Sequence, residues 1–393
     1  MKKIEYKLAS ITWDQKEYDV LEQVIKFGKF TMGDNVKKCE ENFAEYVKSK
    51  YCVMVNSGSS ANLLMVAALQ YRKSFKRKKN PLVIVPAVSW ATTYYPFHQY
   101  GYRLKFVDID LKTLNYNLVD LKNAFKEETP DILMCVNLLG NSNDFDEIKS
   151  IIGNTDTILL EDNCESMGAL YKDKQCGTIG LMGTFSTFFS HHINTMEGGF
   201  VVTDDEELYH IVLSLRAHGW TRNLPDENHV SGTKSKDWFI ESYNFILPGY
   251  NVRPLEMSGA LGIEQIKKLP NLLKQRRKNA KYFIEKMKEI DFIQIQEETD
   301  NSNSSWFGFS LILKDSYSRK KLINLLDKHN IECRPIVAGN FFRNPVVKHM
   351  KCKKYNKLIN ADCVNDNGLF IGNHHFEITK EIDYLVDVLK LYK

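Results

Sequence analysis

Between Lys174 and Lys234 this lysine-rich chain carries no lysine. That gap removes the side-chain primary amine from the whole stretch, and with it any covalent amine chemistry placed there. The eight cysteines form no Cys-x-x-Cys pair and no framework spacing. They predict free or buried thiols in a reducing compartment, not a disulfide scaffold or a clustered metal site. No apolar run approaches the roughly 20 residues that a membrane helix needs; the run at 82–88 is far too short. The opening Met1-Lys-Lys-Ile-Glu-Tyr-Lys-Leu8 has basic residues but no apolar core, so it does not read as a secretory signal. Large net charge is missing too: +4 over 393 residues. The densest basic run, Arg72-Lys-Ser-Phe-Lys-Arg-Lys-Lys79, lacks interleaved stacking aromatics and a DNA-reading motif. It reads as a solvated surface loop, and the expectation is a cytoplasmic protein with neither nucleic acid nor membrane as partner.

What is present is an ordinary globular composition, 43% hydrophobic and 26% charged, over a length that suits two domains sharing an interface. Short apolar runs alternate with amphipathic stretches, the pattern of an α/β fold with a mostly parallel sheet. Strands are expected at 51–55, 82–85, 104–107, 132–136, 157–160, 182–185 and 199–203. Helices are expected at 13–26, 36–48, 61–71, 118–126, 144–152 and 206–215, with Asp144 as a cap. Residues 223–242 are polar and read as a long loop. A helical pattern at 253–288, begun by Pro254 and interrupted at Pro270, leads to a smaller α/β unit holding 306–313 and 331–335. The expected division is a large domain over 1–265, its N-terminal segment free to pack elsewhere, and a linking helix with a small domain over 266–393.

Several segments carry residues suited to chemistry. Asn56-Ser-Gly-Ser-Ser-Ala-Asn62 comes after a strand and opens a helix; Gly58 and Ser59 there fit an anion cradle or a plain capped turn. In Leu159-Leu-Glu-Asp-Asn-Cys-Glu165, Asp162 ends a strand at the edge where open α/β sheets present ligands, or else caps the next helix. Trp90, in Val85-Pro-Ala-Val-Ser-Trp-Ala-Thr92, offers a flat indole for ring stacking or core packing. His191 and His192, taken as strand residues, point to opposite sides, and no further ligands stand at zinc spacing. An imidazole titrates near neutrality and suits proton transfer. Gly249-Tyr-Asn-Val-Arg-Pro-Leu-Glu-Met257 reads as a loop before a proline-initiated helix.

These segments, in this order, resemble the sugar aminotransferases that use pyridoxal 5'-phosphate (PLP), the DegT/DnrJ/EryC1/StrS family. In them a Ser stands before the cofactor lysine and Glu-Gly-Gly stands after it. Counting five residues on from Ser186, or six back from Glu197, reaches His191. The narrower likeness is to the lysine-less branch, the nucleotide-sugar 3-dehydratases. It is carried by Leu8-Ala-Ser-Ile-Thr-Trp13, Phe30-Thr-Met-Gly33, Ser190-His-His-Ile193, Arg216-Ala-His-Gly-Trp-Thr-Arg-Asn223 and Glu332-Cys-Arg-Pro335.

The resemblance implies a fold-type-I, aspartate aminotransferase-like enzyme. Its cofactor is PLP, or pyridoxamine 5'-phosphate (PMP), not linked to lysine, with no iron–sulfur cluster and no metal. His191 is the implied catalytic residue, moving a proton at the cofactor's 4′ carbon. The cofactor set is Gly58, Ser59, Trp90, Asp162, Glu165, Ser186 and Asn251, the last acting in the partner subunit of a homodimer with shared active sites. Glu165 departs from the His or Gln usual there. Gly28, Lys29, Phe30, Thr31, Arg222, Arg253 and Glu332 are the implied substrate contacts. The implied reaction takes GDP-4-keto-6-deoxymannose and L-glutamate, without a reductase partner, in dideoxysugar biosynthesis of the colitose and O-antigen kind. Two other readings stand beside it: a CDP-4-keto-6-deoxyglucose 3-dehydrase that needs an iron–sulfur reductase, and a non-catalytic PLP- or nucleotide-sugar-binding protein.

Overall fold

A computed structural model describes residues 4–392. Seven five-residue strands and a three-residue edge strand stack into an eight-stranded sheet in the spatial order Tyr51–Val55, Gly199–Thr203, Met182–Ser186, Ile158–Asp162, Ile132–Val136, Leu82–Pro86, Arg103–Val107, Cys352–Lys354. All neighbours are parallel except at Gly199–Thr203, which runs antiparallel to both of its partners. Most of these strands are buried along their length, as a sheet covered on both faces requires. Helices Gly58–Leu69, Ala91–Gln99 and Glu206–Arg216 pack into one core with the sheet; helices Leu118–Glu127 and Phe145–Ile152 belong to another. Asn117, Asp144 and Asp205 accept N–H bonds as side-chain caps at three of these helix starts.

The seven strands expected in the first part of the chain lie within two residues of their observed positions. Three other expectations need correction. Pro270 does not interrupt its helix: Glu256–Met287 is continuous, because Leu269, Leu272 and Leu273 stay buried around it and one missing N–H does not outweigh that packing. Residues 265 and 266 therefore lie inside a single helix. The 223–242 segment is not unbroken loop, since Glu227–Asn228 pairs with Gly232–Thr233 and Asp237 caps a short helix at Trp238–Glu241. Ile331 and Arg334 make single bridges, to Tyr6 and Phe370. Finally, His191 and His192 sit in the turn after the Met182–Ser186 strand rather than on a strand.

The smaller sheet is antiparallel, with Gly308–Leu313 between Ile293–Gln294 and Gly368–Gly372. Its core includes the stacked rings of Phe283 and Phe309, 4.0 Å apart. The two parts of the chain are stitched together. Cys352–Lys354 returns to the edge of the large sheet beside Arg103–Val107. Tyr6, fully buried, donates its hydroxyl to the Gly372 carbonyl at 2.9 Å.

Candidate active site

The carboxyl ends of the parallel strands open on a cavity of about 490 Å³ whose wall includes Gly58, Ser59, Trp90, Asp162, Glu165, Ser186 and His191. Strand ends supply Asp162 and Ser186, and helix starts supply Gly58 and Ser59, so each group is set by a rigid element.

Asp162 is the most tightly oriented of them. Its Oδ2 accepts from Asn62 Nδ2 and Thr93 Oγ1, both at 2.8 Å, and Oδ1 accepts from the Cys164 N–H at 3.1 Å. Asn62 is fixed in turn by the Thr184 hydroxyl donating to its amide oxygen at 2.6 Å. The carboxylate is thus aimed before any ligand arrives. At the other end, Ser57 caps the Gly58–Leu69 helix, whose first-turn N–H groups have no carbonyl within the helix. A Cβ on residue 58 would stand 2.6 Å from Ser186 Cβ and 2.9 Å from Cys164 Sγ. Only glycine lets the helix start approach Ser186 this closely.

His191 is held by its own N–H bond to the Phe188 carbonyl at 2.9 Å and by ring contacts with Phe188 and Phe307, at centroid distances of 5.9 and 5.1 Å. Its Nδ1 is buried without a hydrogen-bond partner among the described residues. Burial, then the positive charges of Arg334 and Arg276, push its pKa down to about 3, so the imidazole is neutral and able to accept a proton. His192 is fully buried; its Nε2 faces the Ser305 carbonyl at 3.2 Å and does not line the cavity. The two rings are therefore divided between cavity and interior, although the backbone is a turn.

Glu165 lies 3.9 Å from the Arg334 guanidinium and accepts from the Leu139 N–H at 3.3 Å. Burial raises its pKa to about 7 against the opposing pull of Arg334. Arg334 itself lines the cavity with its guanidinium over the Phe370 ring, 4.6 Å from the centroid. A planar cation stacked on an aromatic and open to a cavity is suited to a carboxylate.

Other expected residues lie outside this wall. Asn251 is exposed, and its side-chain oxygen accepts from Arg253 Nε at 3.0 Å. Its neighbour Val252 accepts the Asn56 N–H at 3.0 Å, which ties the segment to the turn before Gly58. Arg222 stacks 4.1 Å over Trp220, with Arg253 5.5 Å over the same ring. Gly28 ends a helix with φ 79°, Lys29 lines a separate groove, Phe30 accepts the Glu256 N–H through its carbonyl, and Thr31 bridges Leu255. Glu332 accepts the Leu8 N–H at 2.8 Å and so fastens the N-terminal segment. Sequence reasoning missed Asn62, Thr93, Phe307 and Arg334 as site residues. Asn62 and Arg334 stand inside segments already singled out, but no local pattern marks Thr93 or Phe307.

The wall fits PLP on three observations: open helix-start N–H groups beside a glycine that cannot be enlarged, a pre-aimed carboxylate, and an unpartnered imidazole nitrogen. Among the described residues no group of His, Cys, Asp and Glu could hold a metal ion, and no helix is long and apolar enough to cross a membrane.

Comparison with known proteins agrees with that chemistry. The protein named GDP-4-keto-6-deoxy-D-mannose 3-dehydratase of Escherichia coli O55:H7 is 58% identical over 390 residues, 98% of this chain and 100% of that one. The Yersinia pseudotuberculosis protein of the same name is 57% identical, over 98% of each chain. A crystal structure of GDP-4-keto-6-deoxymannose-3-dehydratase with a trapped PLP-glutamate geminal diamine superposes with a TM-score of 0.96 at 57% identity, covering 98% of this chain and 100% of that one. The DegT/DnrJ/EryC1/StrS aminotransferase family model matches residues 12–390, and the chain belongs to that family.

Proposed function

We propose that the protein is a PLP/PMP-dependent nucleotide-sugar C-3 dehydratase. It converts GDP-4-keto-6-deoxy-D-mannose to GDP-4-keto-3,6-dideoxy-D-mannose, with L-glutamate as amino donor and ammonia and 2-oxoglutarate as co-products. The carrying observation is His191: an unpartnered imidazole faces the cavity that Asp162 also lines, where the family places its lysine amine. The shared name of relatives 58% and 57% identical supports the GDP-linked substrate. The balance closes without an outside reductant. Glutamate gives up two electrons in becoming 2-oxoglutarate, and those electrons replace the C3–OH bond of the sugar by C3–H.

When bound, the cofactor supplies the amino group and an electron-accepting pyridinium ring. Asp162 holds the ring nitrogen protonated through its fixed carboxylate. Gly58, Ser59 and Ser186 receive the phosphate at the helix start. Trp90 at the cavity mouth covers the ring face. His191 takes a proton at the carbon next to the ring and, as imidazolium, delivers it to the departing C3 oxygen. No primary amine stands at residue 191 to steer the product toward an amino sugar.

We assign glutamate's carboxylate to Arg334. Below a pH of about 7 Glu165 is protonated and leaves the guanidinium free; above it, the carboxylate forms and competes. KM for glutamate should therefore rise about fivefold as pH climbs through 7, from ~1 kcal/mol for a part-exposed pair. Glu165→Gln should flatten that rise. A wild-type KM that is flat across this range removes the competition.

The partner is a second copy of the chain. Trp238, Phe239, Tyr243 and Phe245 form an exposed aromatic stretch, and Asn251, Arg222 and Arg253 stand clear of their own chain's cavity wall. Asn251 then serves the partner's phosphate site. Arg222, Arg253, Glu332 and the 28–31 segment remain the proposed sugar-nucleotide contacts. The division proposed at 265/266 falls inside the Glu256–Met287 helix, and Arg334 brings the chain beyond that helix to the cavity wall. The scattered free thiols favour a cytoplasmic enzyme with no reductase partner.

The deciding experiment gives purified protein PLP, glutamate and GDP- or CDP-linked 4-keto-6-deoxy sugars side by side. Ammonia and 2-oxoglutarate should appear with the GDP sugar and no reductase. Accumulation of an amino sugar, or turnover only with a reductase, defeats the proposal.

A further inference from the structure

Helix Glu256–Met287 turns two consecutive arginines toward residues 304–307, and that segment forms the wall behind the histidine pair. Arg276 is 3% exposed, and its Nη1 donates to the carbonyls of Phe307 at 3.0 Å and Asn373 at 2.9 Å. Arg277 donates to Ser304 O at 3.0 Å and Gly168 O at 2.8 Å. Asn373 closes the clamp by donating to the carbonyls of Arg276 and Trp306, at 3.1 and 2.9 Å. On its other side the segment is pinned to the turn that also serves Glu165. Ser305 N–H bonds Gly140 O and Phe307 N–H bonds Leu139 O, both at 3.0 Å.

This over-determined segment carries Trp306 at φ 46°, a left-handed conformation that a bulky residue keeps only when its surroundings enforce it. Gly140 makes the close approach possible, for a Cβ there would lie 2.6 Å from the Trp306 nitrogen. From this clamp the Phe307 ring reaches both imidazoles, 5.1 Å from His191 and 5.6 Å from His192. Arg276 is bonded to carbonyls instead of a carboxylate, and its Nε has no partner. Its charge is thus left uncancelled in a medium where fields reach far.

We propose that Arg276 is a positioning residue for His191: it locks the 304–307 segment whose Phe307 ring walls the imidazole, and it sets a permanent positive charge behind that ring. The inference rests on His191 being the base. The other titratable groups around the imidazole are Arg334 and His192, with Glu165, Asp162, Cys164 and Glu197 on the same cavity wall. Arg276 acts on both histidines in the same direction, lowering each. An uncharged imidazole is kept ready at any working pH, and a carboxylate arriving at Arg334 cancels one of the two opposing cations and sharpens its basicity.

The test tracks ring resonances of ¹³C-labelled histidine in the PLP-loaded protein against pH, with His191 assigned from its absence in His191→Asn. Arg276→Met should raise the His191 midpoint, whereas Arg276→Lys, which keeps the charge, should leave it in place. An unchanged midpoint in Arg276→Met, or an equal rise in both variants, overturns the proposal. Should Arg276→Met fail to fold, Phe307→Leu decides: kcat should fall about tenfold or more with KM for glutamate held within about twofold, and an unchanged kcat overturns it. Turnover surviving in His191→Asn would remove the base itself, yet the midpoint shift would still report the action of Arg276, so the two failures are distinguishable.

Discussion

His191→Asn is expected to bind PLP and lose turnover by roughly 10²- to 10⁴-fold, the range for removing a positioned general base. Asparagine keeps a polar side chain of similar reach but cannot take up a proton at neutral pH. The imidazole's Nδ1 has no hydrogen-bond partner, so its removal orphans nothing on the protein side. The loop also keeps its bond from residue 191 N–H to the Phe188 carbonyl, which is made by the backbone. Stability should therefore change little, and the loss should be in kcat. Cofactor absorbance titration gives the binding, and ammonia with 2-oxoglutarate release gives the rate. Near-normal turnover would take His191 out of the mechanism.

The second large effect belongs to Asp162→Asn. The carboxylate receives three donors, from Asn62, Thr93 and Cys164. A neutral amide in its place sets an NH₂ group against donors and no longer holds a proton on the pyridine nitrogen. A turnover loss of about 10³-fold is expected, comparable to deleting a pre-aimed electrostatic partner elsewhere, together with weaker PLP binding and an altered absorption band of the bound cofactor. Turnover within a few-fold of wild type would leave Asp162 as a cap on the Cys164 N–H and nothing more.

Legibility in the chain tracked the range of the interactions involved. The seven five-residue strands of the large sheet were legible because most are short apolar runs buried along their length, whereas the largely exposed edge strand at Cys352–Lys354 carries no such signal. His191 was legible because two local landmarks, Ser186 and Glu197, count to the same position. The roles of Asn62 and Thr93 were not, since they meet Asp162 from 100 and 69 residues away, Asn62 inside a segment read only as an anion cradle or capped turn and Thr93 with no local pattern. Phe307 and Arg276 matter through a fold-back that no periodicity encodes. Pro270 misled because local propensity counts one lost hydrogen bond and not the buried leucines around it.

The bond from Tyr6 to Gly372 spans 366 positions, and the edge strand at Cys352–Lys354 arrives almost as late. A ribosome makes the first of these residues long before it makes the last. At 5–20 residues per second, roughly, the opening segment waits some tens of seconds for its dock. The large sheet waits about as long with an edge uncovered. Completion of the fold is thus timed by the synthesis of residues 352–372, and a nascent chain cut short near residue 350 would present both gaps at once to the cell's quality control.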